Sequence, residues 1–120
     1  MSTLNVSNIT DGTDTVETGY VVNGSAKAFE KHQINGTIDG SLNVSSVTDS
    51  GTGDYTINFS SSMNDNKYTA SLHGSAGTST LVRWMVYRGE TTTGFGVKTY
   101  AGSSQSDMSN NMTVVHGDLA

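Results

Sequence analysis

The sequence predicts an all-β domain, a compact antiparallel β-sandwich or barrel-like fold formed by residues 1–120. Three observations carry this. Short runs that alternate apolar and polar residues recur along the chain at roughly ten-residue spacing. Val, Ile and Thr, which favour the extended backbone, make up 32 of 120 residues. The runs are separated by Gly, Asn, Asp and Ser clusters, which are turn formers. A chain of this length holds one core and has no room for a second.

The elements follow in order. Leu4 to Thr10 is expected as an N-terminal strand. Val16 to Val22, Ala26 to Glu30 and Gln33 to Ile38 are weaker strand candidates. Ser25 to His32 is the best helical window, through Ala26, Ala28, Glu30 and Lys31. It spans only about two turns, which is marginal without tertiary support. Asp54 to Ser60 alternates most clearly, with Tyr55, Ile57 and Phe59 on one face. Lys67 to His73 repeats the pattern, with Tyr68, Ala70 and Leu72 inward, and the two runs read as a hairpin or as neighbouring strands. Thr80 to Arg88 is apolar on both parities, as a central strand covered on two sides would be. Gly94 to Tyr100 and Met112 to His116 complete the set. Asp11-Gly12, Asn23-Gly24, Asn35-Gly36 and Asp39-Gly40 suit turns that need positive φ.

One internal similarity stands out. Leu4-Asn5-Val6-Ser7-Asn8-Ile9-Thr10-Asp11 recurs as Leu42-Asn43-Val44-Ser45-Ser46-Val47-Thr48-Asp49. Both copies are apolar at the first, third and sixth positions. That change of parity predicts a bulge, and the match predicts two equivalent strands.

Composition excludes several functions. The chain has no cysteine, which removes disulfide scaffolds, thiolate metal sites and cysteine nucleophiles. Net charge is −5 with six Lys plus Arg, which argues against binding nucleic acid through phosphates. No apolar run approaches the ~18 residues of a membrane span. Met1 to Asn5 lacks the basic and apolar regions of a signal peptide. Leu, Ile, Val and Phe total only 23 residues, so apolar material is scarce. Burial between subunits would make up the shortfall.

Chemistry-bearing motifs are few. His32, His73 and His116 lie in different segments and read as scattered surface residues. Asp11, Asp14 and Glu17 offer oxygens to Ca²⁺ but lack an EF-hand pattern, so a solvated turn is expected and no cofactor. Asp49 and Asp54 bracket a loop, with Asp49 accepting from local N–H groups. His73-Gly74-Ser75-Ala76-Gly77 is not a nucleophile elbow. Seven Asn-x-Ser/Thr sequons read as polar strand faces. Trp84, in the most apolar strand, is expected in the core. The other reading makes Trp84, Tyr87 and Tyr100 a stacking platform for sugars, with Trp84 and Tyr100 as ligand contacts. No catalytic set emerges, so the chain reads as a non-enzyme.

A family resemblance adds to this. Ala26-Lys27-Ala28-Phe29, Ile34-Asn35-Gly36-Thr37-Ile38, the run from Ser41 to Phe59 and Ser62-Met63-Asn64-Asp65-Asn66-Lys67-Tyr68 resemble a module of tailed bacteriophages. The module is most familiar in tail fibre and virion structural proteins of marine and cyanobacterial phages. The start, from Met1 to Asp11, and the end, from Val114 to Ala120, are similar too. Relatives carry a tryptophan and a longer polar run where this chain has Phe29-Glu30-Lys31-His32-Gln33.

The resemblance implies a structural protein on the virion surface, of capsid-decoration, cement or head-fibre type. The other role it allows is a tail fibre or tip that recognises a host-surface glycan or protein. It implies a homotrimer whose partners are itself and other capsid or tail proteins. Residues 1–11 then form a docking strand with Leu4, Val6 and Ile9 as contacts.

Overall fold

The computed structural model describes residues 1–75 and 82–120. In chain order the elements are β1 (Asn8–Thr10), β2 (Thr15–Glu17), α1 (Thr18–Gly24), β3 (Ala28–Gln33), β4 (Ile38–Leu42) and β5 (Val44–Gly51). There follow β6 (Asp54–Phe59), β7 (Thr69–Ser75), β8 (Arg83–Thr91), β9 (Gly94–Ala101), β10 (Ser104–Gln105) and β11 (Asn110–His116). The chain is all-β, as expected, and every strand pair is antiparallel among the described residues.

Two sheets form the body. One has the order β4-β3-β11-β7. In the other, β9 pairs along one edge with β8 and along the opposite edge with β6 and β10, and β6 in turn pairs with β5. The inward positions meet in a core of Ala28, Val44, Ile57, Phe59, Met63, Tyr68, Phe95, Val97 and Val115. Phe59, Tyr68 and Phe95 form a ring triangle with centroids 5.5–6.0 Å apart. Such tilted aromatic packing adds attraction beyond area burial. The expected faces hold: Tyr55, Ile57, Phe59 and Tyr68 are buried, and Ala70 and Leu72 are half-buried behind them.

The chain moves between sheets at Asn43. Leu42 pairs with Phe29 in the first sheet, and Val44 pairs with Phe59 in the second. Asn43 sits at φ 53°, the left-handed region that Asn tolerates better than most residues. Its Oδ1 accepts from Ser61 N at 2.7 Å and its Nδ2 donates to Ser61 O at 3.1 Å. Ser60 N donates to Asn43 O at 3.1 Å. Immediately after it, the register shifts between Val44 and Ser46, the bulge predicted for this copy of the repeat.

Other expectations are corrected. The two repeat copies are not equivalent strands: in the first, only Asn8–Thr10 is a strand, paired with β2 in a separate hairpin. Val16 to Val22 divides between β2 and α1. The helical window at Ser25 to His32 instead holds β3, where Ala28, Glu30 and His32 alternate inward. Pairing on both edges, with β4 and β11, overrides its modest helical propensity.

Asp54 to Ser60 and Lys67 to His73 do not pair, because β6 and β7 belong to opposite sheets. The polar stretch between them crosses the sandwich, and Met63 plugs its end, with its N–H donating to Thr92 O at 2.8 Å. The run from Thr80 is no central strand: β8 pairs with β9 alone among the described residues, and Trp84, Val86 and Tyr87 are exposed. Thr80 and Leu81 lie outside the described residues. Of the four predicted turns, Gly12 (φ 100°) and Gly36 (φ 79°) adopt positive φ, whereas Gly24 ends α1 and Gly40 lies within β4.

Two predictions follow from the core and its corner. Asn43→Ala should cost about 2–4 kcal/mol, combining left-handed strain with the lost Ser61 hydrogen bonds. Asn43→Gly should recover the conformational part, as read from urea midpoints. The second concerns alkali. Burial pushes the Tyr68 hydroxyl up to about 12, and burial together with Asp107 raises Tyr55 further. Unfolded tyrosine titrates near ~10, so the folded state holds these protons more tightly. The stabilisation is complete below pH ~10 and is lost as pH rises through the folded values. The melting temperature should fall between pH 10 and 12, and Tyr68→Phe should flatten that fall.

Candidate functional site

The histidines were expected at the surface. His73 and His116 are exposed, but His32 is fully buried. Its Nδ1 lies 2.7 Å from Glu30 Oε2, and Thr113 Oγ1 donates to Glu30 Oε1 at 2.9 Å. The ring also packs on Tyr55, with centroids 4.7 Å apart. Glu30 and His32 share the inward face of β3 because two residues is the repeat of a strand. Both side chains are closed off from solvent, so this pair braces the core and cannot meet a substrate.

Nor do the acidic residues assemble a metal centre. No group of three or more His, Asp or Glu side chains is poised to hold an ion among the described residues. Asp11 Oδ1 accepts from Thr13 N and Asp14 N, each at 2.9 Å, and these bonds lower its carboxyl from the usual range. Asp49 Oδ1 accepts from Gly51 N at 3.0 Å, as expected. In the His73 to Gly77 stretch, Ala76 and Gly77 lie outside the described residues.

Two surfaces are left as candidates. The first is the arm formed by residues 1–24. The β1–β2 hairpin and α1 join through Thr18, whose N–H donates to Ser7 O at 2.9 Å. No arm residue is buried. The expected docking residues Leu4, Val6 and Ile9 are all exposed, at 82%, 39% and 46%. Tyr20, Val21 and Val22 on the short helix and Val16 on β2 are exposed with them, which sequence reasoning missed. An open hollow of about 490 Å³ lies against Glu17, Gly19, Tyr20, Asn23 and Gly24.

The second surface is the outer face of the sheet that contains β8 and β9. Trp84 and Tyr100 are directly opposite across the two strands. Their rings stack at 4.1 Å and 7°. Trp84 Nε1 donates to Gly102 O at 2.7 Å, which fixes the indole. Trp84 is therefore not a core residue, since among the described residues β8 lies at the sheet margin and its outer face is uncovered. The structure brings together the two aromatics expected to contact a ligand. Tyr87, the third ring of that platform, points to the other face of β8 by alternation.

Charged groups lie beside the stack. Val86 and Lys98 are the next outward pair, and Lys98 is opposite Asp54 of β6. Arg88 forms an ion pair with Asp54, and Lys98 Nζ is 3.8 Å from the other carboxylate oxygen. Arg88 reaches Asp54 by lying across Gly96: a Cβ there would be 2.9 Å from Arg88 Cγ and Cζ. Further along, Asn58 Nδ2 donates to Ser46 Oγ at 3.0 Å and to Thr48 Oγ1 at 3.2 Å. The sequence signal for this group is the alternation Trp84, Val86, Arg88, set opposite Gly96, Lys98 and Tyr100.

Comparison with protein-family models, curated proteins and solved structures finds no match for this chain.

The contrast between braced core and open face is testable. Glu30→Ala strips His32 and Thr113 of their acceptor and should cost about 3–5 kcal/mol. Trp84→Ala should cost only about 0.5–1.5 kcal/mol, the worth of an exposed stack. Chemical denaturation of the two variants measures both.

Proposed function

We propose that this chain is a non-enzymatic structural protein on the surface of a tailed phage virion, of capsid-decoration, cement or head-fibre type. The observation that carries the reading is the arm. Sixteen large apolar side chains are exposed among the described residues, and eight of them precede Ser25. A fifth of the chain thus holds half of the unburied apolar groups. An exposed apolar concentration of this kind marks a contact surface. The arm docks on another virion protein through Leu4, Val6 and Ile9. The β-body stands away from that contact.

The body is proposed to assemble as a homotrimer. Supporting this is a second apolar stripe on the outer face of the first sheet, where exposed Phe29 and Leu42 pair across β3 and β4, with half-buried Val114 beside Phe29 on β11. A tail-fibre or receptor-binding role is the second reading. The solvent-facing Trp84–Tyr100 stack favours it, with a host-surface glycan as the target.

The test is incorporation into particles. Leu4→Ser, Val6→Ser and Ile9→Ser combined should leave the melting temperature within a few degrees, because none of the three is buried. The same variant should fail to join the virion. Normal incorporation would remove the docking arm, and sedimentation of the full chain as a monomer would remove the trimer.

A further inference from the structure

We infer that the outer face of β8 and β9 is a binding site for an acidic saccharide, with the free face of Trp84, backed by Tyr100, stacking one ring and Lys98 and Arg88 taking a carboxylate on its neighbour. This deepens the second functional reading and rests on it.

One face of the indole rests on Tyr100, and Trp84 still retains 42% of its exposure. The indole is held by its bond to Gly102 O, so little side-chain freedom is lost when a ligand arrives. The π face of an aromatic ring carries negative charge. The C–H groups on one face of a sugar ring are the complementary surface, and its hydroxyls point sideways to polar neighbours. A peptide anchor would call for an enclosed apolar pocket. Here the ring lies exposed on the outer face of a sheet.

Charge then selects the kind of sugar. Two cations, Arg88 and Lys98, face one carboxylate, Asp54, so the cluster carries a surplus of one positive charge. The chain as a whole carries −5. An acidic ligand is thus repelled by the molecule's overall charge and drawn to this face. Lys98 is the looser partner of Asp54, at 3.8 Å, and is free to turn to a second carboxylate. Arg88 bonds Asp54 through Nη2, and a guanidinium has five N–H donors.

Spacing sets the length. Lys98 is two residues from Tyr100 on β9, and Val86 two from Trp84 on β8, which is about 7 Å along a strand. A ring stacked on the indole leaves the cations to a ring further along a linear saccharide. The ligand is therefore at least a disaccharide, and the uronic-acid class places a carboxylate on each ring. Asn58, Ser46 and Thr48 form a separate polar group on β6 and β5, four residues beyond the Asp54–Lys98 pair.

Trp84 is the only tryptophan, so its fluorescence reports on this site alone. The full chain is titrated with oligogalacturonate and with cello-oligosaccharide of the same length. Oligogalacturonate should give a saturable fluorescence change, weakened several-fold by raising salt from 50 to about 300 mM. Lys98→Gln should weaken it at least fivefold, and Tyr100→Ala should abolish saturation, with melting temperature confirming that both variants are folded. Equal response to the neutral oligosaccharide would overturn the acidic class while leaving glycan recognition standing. No response to either sugar would overturn this site and the glycan reading together. Unchanged affinity in Lys98→Gln would overturn the assignment of the cation.

Discussion

The body of this protein depends on one residue changing sheets. β4 and β5 are consecutive, yet they belong to opposite layers, and only Asn43 lies between them. An extended residue there would carry the strand onward in its own sheet. The left-handed conformation breaks that direction, and the paired bonds to Ser61 tie the corner to the end of β6. The register bulge that follows lets Val44 and Val47, three apart, both face inward. Without the corner, β6 would lose its neighbour on that side, and Ile57 and Phe59 would lose part of their cover.

The core that forms around this corner has two ends of different chemistry. The apolar end is filled by Phe59, Tyr68 and Phe95, which supply the bulk that few aliphatics provide. The polar end contains Glu30, His32, Asn111 and Thr113, all buried. Burying such groups is costly unless they bond to each other, and the Glu30 carboxylate serves both His32 and Thr113. The shortage of aliphatic residues is thus met largely within the chain. Exposed Phe29 and Leu42 offer a surface for further burial between subunits.

These features explain which parts were legible in the sequence. Tyr55, Ile57 and Phe59, and Tyr68, Ala70 and Leu72, could be read because a half-buried strand shows its period of two directly. β3 was obscured because Glu30 and His32 occupy inward positions that the pattern assigns to apolar residues. Their separation by one residue on a strand was the available clue. β8 misled for the opposite reason: Trp84, Met85, Val86 and Tyr87 are apolar on both parities, yet the strand sits at a margin. Apolar content cannot distinguish a covered strand from one that offers a face. The arm's helix was hidden within a β-branched run, where Val21 and Val22 favour strand but lie in α1. Trp84 and Tyr100 were named as ligand contacts, but their stacking depends on register between β8 and β9, which no local pattern encodes.

Register also decides what the outer face can do. A shift of one residue between β8 and β9 would turn Trp84 away from Tyr100 and Arg88 away from Gly96. The glycine is what makes the arrangement possible, since any side chain at that position would stand where the Arg88 stem crosses to Asp54. An edge strand free only to protect itself would need a charge or two facing solvent. This one spends an indole, a phenol, two cations and a glycine on a single face, held by bonds to Gly102 and Asp54. Those groups contribute little to the core. Their ordered placement on a rigid sheet is the property of a recognition surface, in which the cost of ordering is met before the ligand arrives.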